Sequence, residues 1–338
     1  MAVKRVTISD VAKATGVSAG AISRILNNDP SLNVREETKN HVREMITKLG
    51  YSPNPQARGL RMSRSGTIAM IVPEINSPAF PAIILGAQAA AGERSYSMLL
   101  GGIGEEGEDP TLAARILERN RVDGFLVSTG RREKEQFAAV KKLNAPVVLV
   151  NRYADDSVPH VILDDEGGVR AMVRYLFDLG HRRIGFLGGT LRFLGSRRLK
   201  GYKRALEELG VPFDGSLVVD AGYDRLGGEK AASKLLDLPQ RPTAFFSTNQ
   251  LVAAGAMHEA HRRGYAVPDD LSVASLYDGP VAELLNPTVT SVFYPLDRLG
   301  YEAVSMLVAL LTGQSTGDIS LTIQHENIME RQSTGPVR

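Results

Sequence analysis

The chain has 338 residues, 43% of them hydrophobic and 23% charged, with a net charge of +2, which suits two or three globular domains. It holds no cysteine, so disulfides, thiolate metal sites and cysteine nucleophiles are excluded. No apolar stretch follows Lys4 and Arg5 and no apolar run reaches membrane-spanning length, so the expectation is no signal peptide, no membrane partner and a cytoplasmic location.

Residues 7–27 read as two short helices joined by a tight turn. Ser9 stands where an N-cap belongs, Val11, Ala12 and Ala14 give the first helix an apolar side, and Gly16 supplies a residue that can take φ > 0. Ser18 can cap the second helix, in which Ile22, Ile25 and Leu26 recur at helical spacing. The exposed face of that helix begins with small side chains and carries Ser23 and Arg24. A helix presented this way fits a major groove, where its first residues face base edges and an arginine can bond guanine. The plainer reading is any two-helix hairpin, but helices this short are not stable alone. The local charge is also biased: residues 1–64 carry eleven basic and five acidic side chains. A basic nucleic-acid module on a near-neutral body is therefore predicted.

A third helix is predicted over 36–49, with Val34, Val42, Met45, Ile46 and Leu49 closing a small core and Gly50 stopping it. Pro53 and Pro55 open the next stretch, where 56–61 is a marginal helix weakened by Gly59, and 63–66 reads as a linker. From Thr67 onward, strands alternate with helices. Strands are expected at 67–72, 97–100, 124–127, 147–150 and 161–163, separated in part by helices at 81–94, 111–120 and 134–143. Helices at 168–179, 199–209, 227–236 and 251–263 then alternate with strands at 183–187, 217–219, 244–247 and 271–275. The segment 286–294, a helix to Leu311 and a strand at 322–326 complete the body. The alternation predicts an α/β protein with two parallel sheets and a small-ligand cleft outside the carboxyl ends of the strands. The helix at 81–94, with Ala82, Ile83, Leu85, Gly86, Ala89 and Ala90, is the candidate dimer interface because small apolar residues allow close packing.

Other constellations are weaker. His258 and His261 lie three apart on a helix without an evident third ligand, and a solvated face is the better reading. The run Gly185-Phe186-Leu187-Gly188-Gly189 lacks the full phosphate-loop pattern. Asp164-Asp165-Glu166 reads as carboxylates favoured at a helix start. No nucleophile-elbow pattern is present, so neither an enzyme nor a cofactor is expected.

Four motifs in order carry a resemblance over essentially the whole chain: residues 7–27; Gly50-Tyr51-Ser52-Pro53-Asn54 with Ala57-Arg58-Gly59-Leu60; Leu179-Gly180-His181-Arg182-Arg183-Ile184; and Gly264-Tyr265-Ala266-Val267-Pro268-Asp269-Asp270-Leu271-Ser272-Val273. The sequence resembles the lac repressor family of bacterial transcription regulators. The resemblance implies an all-α helix-turn-helix headpiece (1–50), a hinge helix and linker (51–65), and a two-lobed core like periplasmic sugar-binding proteins. The lobes are expected at 66–162 plus 290–320 and at 163–289 plus 321–338. It further implies a homodimer, in some members a tetramer, that binds a palindromic double-stranded DNA operator, here as a repressor controlled by a sugar or sugar derivative.

By resemblance, Ala19, Gly20 and Arg24 occupy base-reading positions, and Thr7, Ile8, Ser18, Ser23 and Thr38 resemble phosphate contacts. Asn27, Asn54, Ala57 and Arg58 join the expected DNA surface, and Leu60 resembles a leucine that wedges into the minor groove. Ala19 and Gly20 offer only van der Waals contact. In the core, Asn151, Arg198 and Asn249 resemble effector-contacting residues, with loop or cap roles as the alternative for each. The chain departs from the family at Asn249-Gln250, at Leu276-Tyr277-Asp278 and at Phe293-Tyr294. Tyr277 and Tyr294 are then expected to stack on a sugar ring or fill the pocket, with Asp278 beside them. Those departures keep open a core that responds to a protein partner or to no ligand. A transport-type binding protein is disfavoured by the intact headpiece.

Overall fold

The computed structural model describes residues 6–26, 29, 31–51, 65–73, 77–102, 122–128, 142, 145–153, 157–188, 193–314, 320–325 and 327–337. The chain divides into two units, Met1–Ser65 and Gly66–Arg338. The expected helix at 111–120, that at 134–143 apart from Lys142, and the expected hinge helix at 56–61 lie outside the described residues, as do the site candidates Asn27, Asn54, Ala57, Arg58 and Leu60.

In the first unit, α1 (Ile8–Thr15), α2 (Ala19–Leu26) and α3 (Glu36–Leu49) surround Val11, Ile22, Ile25 and Val42. Ile8, Ala12, Val17, Leu26, Leu32, Ile46, Leu49 and Tyr51 pack around these four. The N-cap of α1 is Thr7 rather than Ser9. The reason is Asp10, whose Oδ2 accepts from both the Thr7 backbone N–H (2.9 Å) and the Thr7 hydroxyl (2.7 Å), the acidic third residue reaching back to the cap as it does in a capping box. Gly16, at φ 68°, closes α1 by donating its N–H to the Ala12 carbonyl.

The second unit is built on two six-stranded sheets. The first orders its strands β11-β5-β4-β3-β1-β2, with every pair parallel. Its members are β1 (Thr67–Val72), β2 (Ser97–Gly102), β3 (Gly124–Val127), β4 (Val147–Val150), β5 (His160–Leu163) and β11 (Ser320–Ile323). In β1, Ile68, Met70 and Val72 belong to one buried cluster and Ala69 and Ile71 to another. Covered on both faces, the strand reads as continuous apolar sequence instead of alternating. On one side lie α4 (Phe80–Glu93) and α10 (Leu296–Thr312). A Cβ on Gly86 would sit 1.9 Å from the Asp297 carbonyl oxygen, and one on Gly300 would sit 1.9 Å from that of Ile83. The small residues of α4 therefore face α10 of the same chain. Of the residues expected at a dimer interface, Ile83, Gly86 and Ala90 are buried within the chain, Ala82 is half-buried, and Leu85 and Ala89 are exposed.

The second sheet orders its strands β12-β10-β9-β8-β6-β7, all parallel except the β10–β12 pair. It comprises β6 (Ile184–Leu187), β7 (Val218–Val219), β8 (Ala244–Ser247), β9 (Ser272–Leu276), β10 (Thr290–Phe293) and β12 (Asn327–Met329). Between these run α5 (Asp165–Asp178), α6 (Phe193–Glu208), α7 (Arg225–Leu236), α8 (Gln250–Arg262) and α9 (Pro280–Leu284). The chain crosses between sheets after β5, after β10 and after β11. A lobe boundary at 290 would group β10 with the first sheet, and one at 321 would group most of β11 with the second. Backbone pairing puts β10 beside β9 and β11 beside β5. β12 was not expected from sequence; three residues are too few for a periodicity to register.

Candidate functional site

Two groups of candidate residues are brought together, one in each unit. In the first unit, Ser18 Oγ accepts from the Ala21 N–H at 3.3 Å and so caps α2. Ile22 and Ile25 turn the apolar side of α2 inward, which leaves Gly20 and Arg24 exposed on the other. A Cβ at Gly20 would meet nothing within 4 Å, so the start of α2 is open. Ala19, Ser23 and Thr38 are half-buried, as is Ile8, and the Thr7 hydroxyl is engaged with Asp10. Arg24 Nε donates to Asp29 Oδ2 at 2.8 Å and one of its terminal nitrogens donates to Ser31 Oγ at 2.8 Å. The Ser31 bonds, followed by the Arg24 guanidinium, hold the Asp29 carboxyl down at about 2.

In the second unit the candidates collect at the carboxyl ends of the strands. Asn151 follows β4 and Tyr277 follows β9, and both take left-handed backbone conformations, φ 51° and φ 65°. A left-handed asparagine is common enough, but a bulky tyrosine there is strained, and strain of that kind collects at functional sites. The Asn151 amide donates to the Tyr277 hydroxyl at 3.4 Å, and its carbonyl accepts from the Leu163 N–H at 3.3 Å. Asn151 thus joins a strand end of the first sheet to one of the second.

Arg198, on α6, is 2% exposed and points into the same place. Its Nε donates to Asp165 Oδ1 at 3.1 Å, a terminal nitrogen donates to the Tyr277 hydroxyl, and its guanidinium carbon lies 5.1 Å from the Tyr277 ring centroid. The Tyr277 hydroxyl in turn donates to Asp165 Oδ1 at 2.8 Å. Burial works against the Arg198 charge, but the Asp165 carboxylate beside it holds the guanidinium protonated. Burial raises the Tyr277 phenol, so it stays neutral and able to donate. Asp165 Oδ2 is buried without a hydrogen-bond partner, as is Gln250 Oε1, whose amide nitrogen donates to the Tyr277 carbonyl at 3.1 Å. A paired arginine and carboxylate with a spare acceptor can hold neighbouring hydroxyls of one small molecule.

Tyr294 is buried beside this cluster, its ring 5.5 Å from that of Tyr277 and its hydroxyl donating to the Asp164 carbonyl at 2.7 Å. Two other candidates, also just beyond strand ends, are engaged with neighbours in the same lobe. Asn249 is the N-cap of α8: its Oδ1 accepts from Val252 N–H at 2.9 Å and its amide donates to the Tyr223 carbonyl at 3.0 Å. Asp278 pairs with Arg331 at 2.6 Å and accepts from Ser291, a clamp that fastens the C-terminal segment to β10. Asp165 was missed among the carboxylates at a helix start. Capping needs one of them, and Asp164 serves by accepting from Gly167 N–H at 2.9 Å. The second acid in the run was therefore the one with another task.

Among the described residues, no helix is long and apolar enough to cross a membrane. Residues 7–54 match the profile of bacterial regulatory proteins of the lacI family, and residues 173–334 match a periplasmic binding protein-like domain. Catabolite control protein A of Priestia megaterium is 32% identical over 332 residues, covering 97% of this chain and 99% of that protein. The HTH-type transcriptional repressor CytR of Escherichia coli K12 is 31% identical, covering 96% of this chain and 95% of the repressor. A solved complex of the transcriptional regulator CelR with cellobiose superimposes with a TM-score of 0.75 at 30% identity, over 97% of this chain and 100% of that one. The lac repressor dimer bound to operator shares the fold, with a TM-score of 0.85 at 24% identity over 98% of this chain and 100% of that one. With a helix-turn-helix headpiece, a core of two parallel-sheet lobes and relatives aligned from end to end, this chain belongs to the lacI family of bacterial DNA-binding transcription regulators.

Proposed function

We propose that this regulator is a repressor that binds a palindromic operator as a dimer and is released or retained by a small carbohydrate. The observation that carries the DNA reading is the exposed start of α2, with Ala19 and Gly20 at its open end and Arg24 one turn on. The first two are suited to the methyl of thymine and the arginine to guanine. Asn27, Asn54, Ala57, Arg58 and Leu60 complete the same interface in this reading. A single headpiece has too little surface for tight specific binding, so two are needed on a two-fold site. Leu85 on α4 and Leu99 and Leu100 on the edge strand β2 are large exposed hydrophobics of one lobe and suit a surface covered by a second copy.

The effector reading rests on Asn151, Arg198 and Tyr277, with Asp165 added, at strand ends of both sheets. Cellobiose bound to the relative CelR supports the carbohydrate class. One observation favours a second reading: the Tyr277 hydroxyl already occupies both Arg198 and Asp165, which suits a core that answers to a protein partner or to no ligand.

The test is enrichment of duplexes from a random library by the intact chain, with Arg24→Ala in parallel. An inverted repeat is expected for the native chain, and loss of guanine preference at one position of each half-site for the variant. An unchanged site would overturn the groove assignment. Thermal shift of the same chain with cellobiose, ribose and their phosphates separates the two readings of the core.

A further inference from the structure

The Arg24 side chain is held by two residues that no base-reading pattern includes. Asp29 and Ser31 follow α2, and both are tied into one turn. Asp29 Oδ1 accepts from the Ser31 N–H at 2.9 Å and from the Ser31 hydroxyl at 2.7 Å. Asp29 N–H bonds back to the Arg24 carbonyl at 3.1 Å, so the turn is anchored to the same residue whose side chain it grips. The other oxygen, Oδ2, accepts from the Arg24 Nε–H, and Ser31 Oγ accepts from a terminal nitrogen of the same guanidinium. The Ser31 hydroxyl therefore donates to Asp29 and accepts from Arg24 through a lone pair.

A guanidinium has five N–H donors in a rigid plane. The grip on Arg24 uses the Nε–H and one terminal proton. The two terminal nitrogens each keep a proton at the far end of the fork, spaced to bond guanine O6 and N7 together. The contacts thus fix the plane and reach of the fork without consuming the edge that reads the base. An ungripped arginine loses rotamer freedom on ordering, a cost that a side chain ordered beforehand has already met.

We propose that Asp29 and Ser31 are positioning residues for base recognition: they hold the Arg24 fork in its reading orientation before DNA arrives, and so set discrimination at that base pair. The proposal rests on the reading of Arg24 as a base contact. The opposite role, a carboxylate that masks Arg24 until DNA displaces it, predicts the reverse effect on affinity.

Asp29→Asn separates gripping from turn formation. An asparagine keeps Oδ1 for the Ser31 N–H but turns a donor amide toward the guanidinium. Ser31→Ala keeps the carboxylate and removes only the terminal contact. The intact chain and the Asp29→Asn, Ser31→Ala, Arg24→Ala and Arg24→Ala/Asp29→Asn variants are titrated against two duplexes. One is the site enriched by the native chain. The other carries a replacement at the base pair where Arg24→Ala loses preference. The native chain should favour the first by about tenfold or more. Asp29→Asn should bring that ratio close to the Arg24→Ala value, Ser31→Ala should fall between, and the double variant should lose nothing beyond Arg24→Ala. A native ratio in Asp29→Asn, equal weakening on both duplexes, or tighter binding by Asp29→Asn would overturn the proposal. Preference retained at every base pair by Arg24→Ala would instead overturn the reading of Arg24 itself.

Discussion

At the residue scale, Arg198 and Asp165 form a buried charge pair in the core. Arg198 and Asp165 are 2% and 0% exposed, so neither can fall back on water if the other is removed. Asp165→Asn should therefore cost about 3–5 kcal/mol, the usual consequence of stranding a buried charge. Urea unfolding of the variant measures it, and native stability would contradict the pairing. Tyr277→Phe removes a neutral hydroxyl from the same cluster and should cost about 1–3 kcal/mol. In the headpiece, Gly20→Asn projects into open space, so it should fold normally while altering the enriched operator sequence. A variant that enriches the native sequence would show that position 20 does not face the bases. Arg198 was legible from its motif, because a forked donor is recognisable by residue type. Its partner was not: an aspartate at a helix start looks the same whether it caps the helix or neutralises a buried cation.

At the element scale, glycines decide how closely helices approach. Gly86 and Gly300 let α4 and α10 cross with backbone against backbone, and Gly228 and Gly255 do the same for α7 and α8. Gly86→Ala or Gly300→Ala must push the two helices apart, with an expected loss of about 1–3 kcal/mol, occasionally more. Gly92 lies on α4 with nothing within 4 Å of its would-be Cβ, so Gly92→Ala should instead gain up to about 1 kcal/mol. Equal effects of Gly86→Ala and Gly92→Ala in thermal unfolding would refute the packing argument. The small-residue face of α4 is visible in sequence, but part of it, at Gly86, is covered by α10 of the same chain. Periodicity shows which face is small and apolar, and it is silent on whether a helix of the same chain or of another copy covers it.

The C-terminal segment is fastened through His181, whose Nδ1 lies 2.9 Å from Thr243 Oγ1 and whose Nε2 lies 3.1 Å from both Ser272 Oγ and the Gly335 carbonyl. A carbonyl can only accept, so Nε2 is assigned the proton and Nδ1 accepts from Thr243. Burial, helped by the nearby Arg182 charge, lowers the His181 pKa from 6.5. The unfolded chain then binds the proton more readily than the folded one. The contribution of His181 to stability is complete above about 6.5 and is lost as pH falls toward the lower folded value. Unfolding midpoints measured from pH 8 to 5 should show this decline in the native chain and a shallower one in His181→Gln. Parallel pH profiles would contradict it.

At the scale of the whole molecule, a basic headpiece precedes a core of two sheets crossed three times by the chain. The alternation of strands and helices announced both parallel sheets, because strands covered on both faces are apolar throughout. The crossings were harder to read. β10 and β11 look alike as sequence, and only ladder pairing decides which sheet each joins. In the function proposed above, a symmetric pair of these chains reads DNA through α2. Sedimentation of the intact chain with its enriched duplex, and with a duplex in which one half-site is scrambled, tests it most directly. Two chains are expected on the intact site, with at least a tenfold loss of affinity when one half is scrambled. One chain per duplex, bound equally well to both, would contradict it.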